Sequence, residues 1–138
     1  MPPARSQLRF ASWNTGVAPP PIAARPTAHR VAAQSVVEKL ISVEGCSLVA
    51  LTEVRREALL DWIPTAERAH WKVVAERTRP HDFDVAILYD ASRLTVQRHA
   101  WERVIHGRGE LRVALIADFT TFNEADRLVV ALAHWRTD

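Results

Sequence analysis

Two apolar runs, each ending in a polar motif, bracket one amphipathic segment, and this pattern constrains the chain more than any other feature. Leu8-Arg9-Phe10-Ala11 leads into Ser12-Trp13-Asn14, and Ser47-Leu48-Val49-Ala50 leads into Leu51-Thr52-Glu53. Between them, Ala33, Val36, Val37, Leu40 and Ile41 recur at helical spacing, with Glu38, Lys39 and Ser42 off that stripe. Thr27 is suited to cap the start of this helix and Gly45 to end it. Two strands joined by one helix run parallel, so Asn14 and Glu53 are expected at the same edge of the sheet. Open α/β sheets place ligands at that edge. The unbroken apolar run before Glu53 predicts a strand buried on both faces.

The remainder reads mainly as strands: His70 to Glu76, Phe83 to Tyr89, Leu94 to Trp101, Arg112 to Thr120 and Arg127 to Trp135. A second short helix is expected over Glu57 to Ile63, turning Leu59, Trp62 and Ile63 inward and stopping at Pro64. Both helices should cover one outer face. Asp90 to Arg93 and Phe122 to Asp126 have the polar composition of tight hairpin connections, which predicts a meander after the β-α-β opening. The proline-rich stretch from Gly16 to Thr27 reads as a stiff loop at the functional edge.

An amide and a carboxylate at one sheet edge offer oxygen ligands to a hard cation such as Mg²⁺. Each residue has a plainer alternative. Taken alone, Asn14 better suits capping a turn, and Glu53 suits pairing with Arg55 or Arg56 as well as it suits a cation. Gly107-Arg108-Gly109 lacks phosphate-loop spacing and reads as a hairpin turn, and His81-Asp82-Phe83-Asp84 reads as a solvated turn. Cys46, the single cysteine, reads as small core filler.

Trp13-Asn14, Glu53, the strand Val85-Ala86-Ile87-Leu88-Tyr89 and His134-Trp135 occur in the order and approximate spacing found in one known family. In these residues the chain resembles the endonuclease/exonuclease/phosphatase superfamily, whose fold is deoxyribonuclease I-like. The resemblance implies an α/β (α+β) chain forming part of a four-layered αββα sandwich. It implies Mg²⁺, or Mn²⁺ in its place, on Glu53 with Asn14 beside it. It further implies a catalytic role for His134 and Asn14 and phosphate contact for Arg112. The substrate would be a phosphodiester or phosphomonoester, nucleic acid included.

Complete family members continue with an Asn-x-Asp strand end that carries the general base, and close on a Ser-Asp-His turn. Neither follows His134 in these 138 residues, so the resemblance covers 1–138 as an N-terminal portion, truncated before the second half. That reading carries two expectations: a nearly inactive chain, and strands ending at Glu53, Tyr89 and His134 that lack an opposing sheet. Their bare apolar face would then call for self-association or for a partner chain to cover it. The rival from a different class is a half-domain kept as an interaction module.

Charge excludes little. The net charge is +2, and Lys39 and Lys72 are the only lysines, so the cationic surface is arginine. Arginine suits bidentate phosphate recognition, but no long run of like charge marks a nucleic-acid tail. No apolar stretch reaches the roughly 20 residues that cross a bilayer, and no apolar leader follows Arg5, which points to a cytoplasmic setting.

Overall fold

The computed structural model describes residues 8–16, 27–54, 56–75, 84–105, 111–122 and 126–133. The elements run β1 (Phe10–Asn14), α1 (Thr27–Ser42), β2 (Leu48–Val54), β3 (Trp71–Ala75), β4 (Asp84–Asp90), β5 (Leu94–Ile105), β6 (Leu111–Thr121) and β7 (Arg127–Ala133). Short 3₁₀ helices over Arg56–Trp62 and Thr65–Glu67 separate β2 from β3. The proline-rich stretch beyond Gly16 and the Gly107-Arg108-Gly109 turn lie outside the described residues.

The β-α-β opening is present: β1 and β2 pair in parallel, from Phe10 opposite Leu48 to Asn14 opposite Thr52. β2 is buried along nearly its whole length, because alternate side chains enter two different cores. Val49, Leu51 and Val54 face α1, where Ala33, Val37 and Ile41 of the helix meet Leu59, Trp62 and Ile63. Thus α1 and the 3₁₀ segment do cover the same face. Cys46 belongs to this core, and burial pushes its thiol pKa up. Val36 departs from expectation at 39% exposed. The buried stripe is Ala33, Val37 and Ile41, spaced by four, with Leu40 alongside, and Val36 falls off its edge.

The expected meander holds for only one of two sheets. The first sheet has the order β1-β2-β4-β3, so β3 is an edge strand and β4 inserts antiparallel between β2 and β3. The turn at Asp90–Arg93 is tight: the Asp90 carboxylate accepts from the Ser92 N–H at 2.9 Å and from its hydroxyl at 2.6 Å. It does not join paired strands, however. It carries the chain out of the first sheet into the second, where β5, β6 and β7 form an antiparallel meander. The Thr121–Asp126 hairpin is as expected, closed by the Thr121 N–H donating to Asp126 O (3.0 Å).

This second sheet corrects the bare-face expectation. Leu115, Ala117 and Phe119 of β6 and Leu132 of β7 pack on Leu48, Ala50, Val74, Val85, Ile87 and Tyr89 of the first sheet. Tyr89 and Phe119 meet edge to face across the layers, with ring centroids 5.2 Å apart. The chain therefore covers most of its own inner face. The physical reason lies in β5, which runs to Ile105 and with β6 makes a pair long enough to form a layer by itself. Among the described residues that face is open at β1, where Phe10 is 47% exposed beside its buried neighbour Leu48, and at β3, where Lys72 in register with Tyr89 is exposed.

Candidate metal centre

Asn14 and Glu53 end neighbouring parallel strands, so the fold brings them to one end of one sheet. A break in the ladder makes this end unusual. On β4, Val85 faces Thr52 and Asp84 faces Val54, which leaves Glu53 as an extra residue in a bulge. In strict alternation Glu53 would share the helix-side face with Val49 and Leu51, burying an ionised carboxylate among apolar groups. The bulge gives that place to Val54, fully buried, and turns Glu53 to an intermediate exposure. The backbone records the cost: Glu53 has φ +55°, the only non-glycine residue with positive φ among the described residues.

Asn14 is exposed and its carboxamide oxygen accepts from the Gly16 N–H at 3.0 Å. The turn-capping alternative is thus observed. It does not exhaust the group, since an amide oxygen carries two lone pairs. Thr15, which the sequence reading passed over, is 2% exposed, and its hydroxyl donates to the Glu53 carbonyl at 2.7 Å. Its signal was available: a polar residue directly after Trp13-Asn14 and before a glycine, in a strand end otherwise free to be apolar.

Asp84, set aside as part of a solvated turn, opens β4 opposite Val54 and so stands at the same sheet end. His81, Asp82 and Phe83 lie outside the described residues, as does Arg55. Arg112 is the second residue of β6, in register with Val104 of β5. His134 also lies outside the described residues, one position beyond the end of β7. The course of β7 is nonetheless informative. β2 departs from Ser47, whose carbonyl accepts from the Asp90 N–H (2.9 Å) and whose hydroxyl accepts from Arg93 (2.9 Å). The Phe122 N–H donates to the Arg93 carbonyl (3.0 Å), so the β6–β7 hairpin sits at this same corner. Leaving from it, β2 runs to Glu53 and β7 runs to Ala133.

Among the described residues, no group of three or more His, Cys, Asp or Glu side chains is arranged to hold a metal. One carboxylate and one amide oxygen at a half-exposed sheet end still suit Mg²⁺. That ion keeps several waters and takes only one or two protein carboxylates together with substrate phosphate oxygens.

No known family profile matches the sequence, and neither does any curated protein. Solved structures do match. D. rerio TDP2 in complex with a single-stranded DNA product superposes with a TM-score of 0.70 at 15% identity, over 96% of this chain and 48% of that one. The human Nocturnin catalytic domain with bound sulfate gives 0.69 at 15% identity, over 95% and 51%. ANGEL2, a 2′,3′-cyclic phosphatase, gives 0.56 at 13% identity, over 72% and 30%. These neighbours are endonuclease/exonuclease/phosphatase superfamily members, and the chain has their deoxyribonuclease I-like α/β fold. It spans about half the length of the TDP2 and Nocturnin chains. No helix among the described residues is long and apolar enough to cross a membrane.

Proposed function

We propose that this chain is the metal-binding portion of a phosphoesterase fold, with Glu53 the principal ligand of Mg²⁺ or Mn²⁺ and Asn14 beside it. The observation that carries this reading is the bulge at the end of β2. It spends backbone strain to lift a carboxylate out of an apolar core, at the sheet end where β1 also brings Asn14. Strained backbone of this kind concentrates where geometry serves function. Glu53 and Asn14 would hold the cation there, and it would supply charge neutralisation at a phosphate oxygen under attack by water. His134, carried on from β7, is assigned to phosphate contact or proton donation, since an imidazole titrates in the range both need. Arg112 is assigned to the phosphate, for which a guanidinium offers paired donors.

The general base of complete family members has no counterpart in this sequence, and losing a positioned base lowers rates by about 10² to 10⁴. The chain alone should therefore bind a divalent cation weakly and hydrolyse a generic phosphodiester at background. Titration calorimetry with Mn²⁺ tests the first statement. Binding should be measurable in the native chain and lost in Glu53→Gln, and equal affinities in the two would remove Glu53 from the site. A cytoplasmic setting belongs to the same proposal.

A second reading, an interaction module completed by a partner, is favoured by the open inner face at β1, where Phe10 is 47% exposed on an edge strand. The readings are compatible, because Phe10, opposite Leu48, lies at the other end of β1 from Asn14, so a partner seated there leaves the metal-bearing end free.

A further inference from the structure

We propose that Thr15 is a positioning residue: its hydroxyl holds the Glu53 main chain in the left-handed conformation that aims the carboxylate. The inference rests on the metal-site reading above and deepens it.

Thr15 bonds to β2 twice. Its N–H donates to the Thr52 carbonyl (3.0 Å), which continues the parallel ladder one residue past Asn14. Its hydroxyl donates to the Glu53 carbonyl (2.7 Å). Consecutive carbonyls of a regular strand point to opposite sides, so the Glu53 carbonyl would face β4 if β2 continued undisturbed. Instead both carbonyls are met from the β1 side. The left-handed turn at Glu53 (φ +55°) swings its carbonyl away from the ladder with β4, and the Thr15 hydroxyl supplies the donor that the bulge removes there.

Burial makes the bond consequential. Thr15 is 2% exposed, whereas Asn14 just before it is exposed, so the Thr15 hydroxyl sits where solvent does not replace a lost partner. An apolar residue of the same shape would fill the space and leave the Glu53 carbonyl without this donor. Glycine adopts a left-handed backbone freely, but the site needs a carboxylate at that position. The chain keeps Glu and restrains it from outside. The hydroxyl touches neither cation nor substrate in this scheme, and it acts by fixing the residue that does.

Mn²⁺ calorimetry and backbone NMR on the chain and its Thr15→Val, Thr15→Ser and Glu53→Gln variants test this. Thr15→Ser, which keeps the hydroxyl, should keep wild-type affinity. Thr15→Val should lose roughly ten- to a hundredfold in Mn²⁺ affinity, the range typical of residues that orient a metal ligand. The Glu53 Cα and Cβ shifts should leave their left-handed values in Thr15→Val with no metal added. Wild-type affinity together with unchanged Glu53 shifts in Thr15→Val would overturn the inference. Should Thr15→Val fold poorly, the double variant Thr15→Val/Glu53→Gly decides. Glycine needs no restraint there, so the double variant should recover stability that Thr15→Val loses, and additive losses would overturn the inference. Glu53→Gln binding Mn²⁺ like the native chain would sink the metal reading alone, because the shifts and the coupling between positions 15 and 53 are read without metal.

Discussion

The two sheets are built on different terms. The first lies between two cores, with α1 and the 3₁₀ segment on one face and the second sheet on the other, so β2 has almost no position open to water. The second sheet has one dry face and one wet one. β7 alternates accordingly, with Val129 55% exposed between the half-buried Leu128 and Val130. On the wet side Asp118 lies among charges: Arg127 donates to both its carboxylate oxygens, at 2.8 and 2.5 Å, and Arg98 stands 3.5 Å away. A sheet gripped on both faces can hold a strained residue in place. A sheet gripped on one face is free to carry ion pairs and to tolerate change.

That contrast can be broken most forcefully from the helix-side core. Trp62 is 1% exposed and packs under β2, so Trp62→Ala should destabilise the chain by about 3–5 kcal/mol in urea denaturation. A loss below 1 kcal/mol would mean that the helix layer does not grip the first sheet.

A finer probe is Glu53 itself. A left-handed backbone at a residue with a Cβ costs about 1–2 kcal/mol. Glu53→Gly should therefore be more stable than Glu53→Ala by about that amount, although neither retains a carboxylate. Equal thermal midpoints would show that the bulge stores no strain.

The smallest effect belongs to the second sheet and sharpens the comparison through pH. The hydrogen bonds from Arg127, then the nearby charges of Arg127 and Arg98, hold the Asp118 carboxyl below the ordinary carboxylate pKa. A carboxylate with a lowered folded-state pKa stabilises the fold above its unfolded value. That contribution fades as pH falls through the lowered folded value. Thermal midpoints followed from neutral into strong acid should fall less steeply in Asp118→Asn than in the native chain. Parallel curves would remove Asp118 from the acid response.

The sequence disclosed what depends on near neighbours. Leu48 to Leu51 is apolar without a break, and that alone announces a doubly covered strand. The spacing of Ala33, Val37 and Ile41 shows which way the helix faces. Strand order was not legible in the same way: nothing in Trp71–Ala75 says that Asp84–Asp90 will insert between it and β2, because that choice is settled by contacts distant in sequence. The Asp90–Arg93 turn has hairpin chemistry and yet links two sheets, since turn residues fix a local reversal and not the partner reached afterwards. The bulge was hidden for another reason. Left-handed positions are read from glycines, and here the residue is Glu53, restrained by a threonine almost forty positions away in the chain. The end-to-end agreement of Asn14 and Glu53 was legible; the device that turns Glu53 outward was not.

The corner at Ser47 also has a mechanical meaning. Asp90, Ala91, Arg93 and Phe122 lace the two sheets and the end of the 3₁₀ region together there, through bonds to Ser47, His70 and Arg93. In any tilt of one sheet on the other that corner would be the fulcrum, with Glu53 at the far end of the lever. Six residues of strand span roughly 20 Å, so a tilt of about 3° between the sheets displaces the far end of one against the other by roughly 1 Å. Asn14 and Glu53 share one sheet and ride together through such a tilt. Whatever the second sheet presents at the end of β7 does not ride with them, and a Mg²⁺ held as proposed at Glu53 would tolerate little departure from its preferred octahedron. A polypeptide laid across both sheets at the end far from that corner would remove the play, so its contribution would be measured in stiffness as much as in added side chains.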